Sequence, residues 1–114
     1  MQKTLDFNSV ERPTIKLTMK DEAHTVINVT TPSEALIEKL QANQADIVTA
    51  AKGGDLKAVN TVVALMADLV SCNLEGVTVT EADLRGKYHV SLADAIIFFT
   101  VYNEFIDEIK TAKN

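Results

Sequence analysis

The chain has 114 residues, with 11 basic and 16 acidic side chains, a net charge of −5 and a pI of about 4.9. Hydrophobic residues make up 46% and charged residues 24%, which excludes wholesale disorder or a fibrous repeat. Net acidity leaves no electrostatic footprint for nucleic acid or an anionic membrane, and a single cysteine, Cys72, excludes an intrachain disulfide and a cysteine-built zinc site.

Met1–Val10 holds no apolar run of signal-peptide length, because Asp6 interrupts it. Ala58–Cys72 is the most apolar stretch. It falls short of the ~20 residues that span a bilayer, and Asn60 and Asp68 lie within it. These features predict a cytoplasmic protein made of a loose arm over 1–12 and one domain over 13–114.

Within that domain, Ile15, Leu17 and Met19 alternate with Lys16, Thr18 and Lys20, the period of a half-buried strand. Asp21–Ala23 makes a polar turn, and the β-branched run His24–Val29 returns. The expected element is a β-hairpin over 13–30, too marginal to stand alone, so it must pack on something.

Helices follow, at about 32–52, 56–72, 81–85 and 92–111. Thr31-Pro32-Ser33-Glu34 reads as a start: Thr31 caps, Pro32 takes the first helical position and Glu34 completes a capping box. The soft patch Gln41–Gln44 leaves one long helix or two shorter ones, ended by Gly53-Gly54. Asp55 opens the second helix and Asn73 ends it. Thr80-Glu81-Ala82-Asp83 begins a single turn stopped by Gly86, and Ser91 with Asp94 caps the last helix. The expected fold is α+β, an N-terminal hairpin followed by a mainly helical bundle; the alternative is an all-α bundle with a minor hairpin.

Two helices carry more apolar surface than one stripe requires. On the last, Ala95, Phe99, Tyr102, Ile106 and Ile109 form one stripe, and Phe98, Val101 and Phe105 a second, with Ile97 between. Four of the six aromatics in the chain sit there. The second helix is similar, with Val59, Val62, Val63, Met66 and Val70 on one side and Ala58, Leu65 and Leu69 widening the band. Both helices are then the centre of a bundle, or part of the second stripe is bare and covered by a copy of the chain or a partner. On the latter reading Phe98, Val101, Tyr102 and Phe105 are the partner-binding anchors.

Side chains for chemistry are sparse. His24 and His89 lack a second ligand at metal-binding spacing, so local or solvent-facing roles are expected, and Cys72 is expected as a buried inert thiol. Gly53-Gly54 lacks either phosphate-binding spacing, and Glu104, Asp107 and Glu108 read as a solvated face. No catalytic residue, metal or cofactor is assigned, and the expectation is a non-enzymatic protein.

The hairpin over Thr14–Val29, the lead through Thr31-Pro32-Ser33-Glu34, the stretch Asn73-Leu74-Glu75-Gly76-Val77-Thr78-Val79-Thr80-Glu81-Ala82-Asp83-Leu84 and the aromatic last helix ending Phe105-Ile106-Asp107-Glu108-Ile109 together resemble the tail assembly chaperones of long-tailed bacteriophages and prophages. The resemblance implies a protein that holds the tape measure protein in the infected cell, helps recruit tail tube subunits, self-associates through helices and is absent from the finished particle. It also implies that many members exist in a second, frameshifted length. A client helix is expected against Phe98, Val101 and Phe105, with Glu104, Asp107 and Glu108 as a wet rim. The alternatives are a structural tail or head-completion component, and a small ligand-binding domain or enzyme that gathers His24, His89 or Cys72 with carboxylates.

Overall fold

A computed structural model describes residues 2–3, 13–53 and 56–112, with side chains described through Ile109. Most of the expected arm over 1–12, the expected helix signals at Gly54 and Asp55, and Lys113-Asn114 lie outside the described residues.

The fold is α+β: a two-stranded antiparallel hairpin followed by helices. Strand β1 (Ile15–Thr18) pairs with β2 (Val26–Val29), Ile15 opposite Val29 and Leu17 opposite Ile27. Alternation puts all four on one face, where Ile27 and Val29 are buried and Ile15 and Leu17 pack against the core from its margin. The Asp21 carboxylate ties the turn, accepting the Thr25 N–H at 2.8 Å and the Thr25 hydroxyl. These bonds, the hydroxyl's first, hold the Asp21 carboxyl below the usual carboxylate range.

The outer edge of β2 is closed by the segment after the third helix. Leu74 N–H donates to Asn28 O at 3.0 Å, Thr30 N–H to Cys72 O at 2.8 Å, and the Glu75 carboxylate accepts from both the N–H and the side-chain amide of Asn28.

Helix α1 (Glu34–Ala42) starts two residues later than the sequence suggests. Ser33, not Thr31, caps it: its hydroxyl accepts the Leu36 N–H at 3.3 Å, and its carbonyl receives the first helical bond, from Ile37. Pro32 therefore precedes the cap and is buried. The soft patch resolves into two helices, α1 and α2 (Gln44–Ala51), with Asn43 between them. The Asn43 side chain donates to Lys39 O at 2.7 Å, competing for the carbonyls that a continuous helix would use. Gly53, at φ +78°, ends α2 in the left-handed conformation.

Helix α3 (Leu56–Val70) is the centre of the molecule, buried along its length from Ala58 to Val70. It ends earlier than the expected residue 72. Asn73 acts beyond that end: it donates to Val70 O and Val77 O and accepts Val77 N–H, closing a turn that needs Gly76 at φ +69°. Ser71 Oγ accepts Val79 N–H at 2.9 Å, laying the following segment along α3.

Thr80 and Asp83 exchange backbone-to-side-chain bonds at 3.1 Å, the expected capping box. The turn it starts widens into a π-helical turn over Asp83–Lys87 and runs through Gly86 rather than stopping there. Leu84 anchors it in the core. Helix α4 (Leu92–Ala112) begins with the same reciprocal box between Ser91 and Asp94. Among the described residues, no helix is long and apolar enough to cross a membrane.

Candidate functional site

The four expected anchors on α4 divide. Phe98, Tyr102 and Phe105 are 5%, 0% and 7% exposed, whereas Val101 is 43% exposed and its neighbour Ile97 62%. Phe98 and Phe105 therefore do not form a bare stripe. They flank Tyr102 in a ladder of rings, 5.3 Å from Phe98 and 6.0 Å from Phe105 by centroids, and Phe99 meets Phe98 edge-on at 5.3 Å. Burying these rings removes far more apolar area from water than burying Ile97 and Val101 would, so the aromatics take the inside of the helix.

What remains outside is organised. Strand β1 runs antiparallel along α4. At one end the Lys20 ammonium meets the Asp94 carboxylate at 2.5 Å, and at the other Pro13 lies with Phe105, Glu108 and Ile109 around a small hollow. Between the two ends lies a groove of about 310 Å³. Ile15, Leu17 and Met19 form one wall, Ile97 and Val101 the opposite lip, and Phe98 borders it as well. Tyr88 and Val90 line it near Lys20. The groove is mainly apolar, with Lys16 and Thr18 also on its β1 side and the Lys20–Asp94 pair at one end.

Strand alternation and the α4 helical repeat together build this site, since β1 offers every second side chain to the face that α4 crosses. The capping box fixes its charged end: Asp94 accepts the Ser91 N–H at 3.0 Å as well as the Lys20 ammonium. The Lys20 bond, then those from Ser91, draw the Asp94 carboxyl from 3.8 down to about 2.

The residues considered for chemistry are placed differently. His24 and His89 are exposed and both occupy left-handed turns, at φ 49° and 55°. Cys72 is half-buried rather than buried, and desolvation, with Asp68 adding to it, pushes its thiol pKa up. The Tyr102 hydroxyl is buried with no hydrogen-bond partner among the described residues, and burial pushes its pKa well up. Among the described residues, no group of three or more His, Cys, Asp and Glu side chains could hold a metal ion.

Ile97 and the β1 wall are the site residues that the stripe pattern passed over. Ile97 falls between the two stripes, so periodicity gave it no face of its own. The β1 alternation marked a packed strand, with nothing to show that its packing against α4 would be incomplete. Comparison of the chain with protein-family models, curated proteins and solved structures gave no match.

Proposed function

We propose that this chain is a non-enzymatic assembly chaperone of a long-tailed phage or prophage, holding apolar segments of the tape measure and tail tube proteins during tail morphogenesis. The observation that carries this reading is the groove between β1 and α4, an apolar trough with Ile97 and Val101 exposed on its lip. Grooves of this kind suit an apolar stretch of another polypeptide, and a net charge of −5 keeps such a complex soluble. The sequence resemblance supports the biological setting, and the exposed lip of the groove supports a place of contact. That place is the Ile97–Val101 lip, with the buried Phe98 beside it in the wall of the groove.

The test is co-expression with the tape measure protein of the same genome. The chaperone keeps that client in the soluble fraction, and Val101→Asp loses this effect while retaining the helical circular dichroism spectrum of the unaltered protein. Mass spectrometry of purified particles then finds no copy of the chain. A client equally soluble with and without the protein contradicts the reading, and copies in the finished particle favour a structural tail component instead.

A further inference from the structure

The ladder between β1 and β2 has a consequence for the opposite side of β1. Asn28 turns its N–H and C=O away from β1, toward Glu75 and Leu74. Asn28 stands opposite Lys16, so Lys16 belongs to a pair that exchanges no ladder bonds. Met19 N–H donates to Thr25 O at 2.8 Å, which sets the same parity from the other end. The N–H and C=O groups of Lys16 and Thr18 therefore point to the outer edge of β1, where they meet no backbone partner among the described residues. Among the described residues the two edges of the hairpin differ: β2 is closed by residues 72–75, and β1 is open beside the groove.

The faces of this open edge differ in character. Toward α4 it presents Ile15, Leu17 and Met19, continued by Ile97 and Val101. Alternating with these along β1 are Lys16, Thr18 and Lys20, all exposed and all bordering the groove as well. Lys20 is engaged by Asp94, whereas Lys16 is in no ion pair among the described residues. Lysine on a strand edge discourages pairing with an identical edge, because the lysines of two copies crowd together on one face. The same lysine attracts a strand that carries acid on that face.

Resting on the reading of the groove as a client site, we propose that the occupant is an extended segment of a partner protein that alternates apolar with acidic residues and adds to β1 as a third strand. Its backbone pairs with Lys16 and Thr18, its apolar side chains enter the groove over Val101 and Ile97, and its carboxylates face outward beside Lys16. Main-chain bonds supply affinity without sequence demand, while the groove and the lysine select the alternation.

The experiment is a nuclear magnetic resonance titration of the full chain with two synthetic peptides of about eight residues, the usual length of a strand. One alternates valine with glutamate and the other valine with lysine. The expected result is at least about tenfold tighter binding of the glutamate peptide. The largest amide shifts fall on Lys16, Thr18, Ile97 and Val101, and Lys16→Glu reverses the preference. Equal affinities, or shifts centred elsewhere, overturn the proposal. Protection of the Lys16 and Thr18 amides that grows with protein concentration in the absence of peptide also overturns it, making a second copy the occupant. Binding seen only after deletion of residues 2–12 overturns it as well, in favour of the chain's own N-terminal residues. If tape measure protein is held in a Val101-dependent way and neither peptide binds, this mode of docking fails while the chaperone reading stands.

Discussion

Lys20 and Asp94, 74 positions apart in the chain, meet in an ion pair that clamps the end of the hairpin to the first turn of α4. Asp94 serves twice, as partner of Lys20 and as the acidic half of the Ser91 capping box. Its position in the first turn also suits the positive end of the helix dipole. One carboxylate thus fixes both the start of α4 and the closed end of the groove.

Acid should release this clamp. The Asp94 carboxyl is lowered from 3.8 to about 2 by folding. A group with a depressed folded pKa contributes stability that is fully present above its unfolded value and is lost as pH falls through the folded one. The loss therefore runs from about pH 4 to pH 2. Because the pair is solvent-screened, we expect about 0.5–1 kcal/mol from it. Thermal unfolding across this range checks this: at neutral pH Asp94→Asn lowers Tm by about 2–6 °C, and the variant's Tm falls less steeply on acidification than the parent's.

Truncating the aromatics of α4 separates support from surface. Phe98→Ala or Phe105→Ala removes a buried ring and costs about 3–5 kcal/mol in urea unfolding. Val101→Ser, at an exposed position, changes stability by about 0.5 kcal/mol or less. A charge at Phe98 or Phe105 unfolds the protein, so loss of binding in such variants says nothing of contact, and the informative substitutions are at Ile97 and Val101.

The division of these residues marks how far the sequence was legible. Period-two alternation located the hairpin, the Ser91–Asp94 and Thr80–Asp83 boxes located two helical starts, and apolar excess marked α3 and α4 as the greasiest helices without deciding whether all of it is buried. These signals are local, or depend on a helical repeat alone. The α1 cap was misplaced by two residues because Thr31 and Ser33 are both competent caps, and the choice depends on which hydroxyl reaches an N–H three residues on. The groove was not legible, because it is set by how closely β1 approaches α4. Two adjoining stripes on one helix show that it is greasy; only packing decides that Phe105 goes in and Val101 stays out.

Tyr102→Phe removes a hydroxyl that is buried without a partner among the described residues. The ring keeps its shape and its contacts with Phe98 and Phe105. Stability is expected to hold or to rise by up to about 1 kcal/mol. A loss of more than about 1 kcal/mol on chemical denaturation would show that the hydroxyl is bonded.

His89 links the π-helical turn to α4 at φ 55°. Left-handed backbone costs a side-chain-bearing residue about 1 kcal/mol, more for a β-branched one, and glycine nothing. The expected order of melting temperatures is therefore His89→Gly at or above the parent and His89→Val below it, by calorimetry. Were His89→Val unaffected, the turn would not be held in this conformation.

The groove itself is tested most directly by one matched pair of substitutions. Val101 and Val48 are both exposed apolar residues on helices, at 43% and 50%, but only Val101 lines the groove. Isothermal calorimetry of the co-expressed client with Val101→Asp and with Val48→Asp separates the groove from general stickiness. The account predicts a loss of at least about tenfold in affinity for Val101→Asp and an unchanged isotherm for Val48→Asp. Equal losses from both variants, or undiminished binding by Val101→Asp, would contradict it.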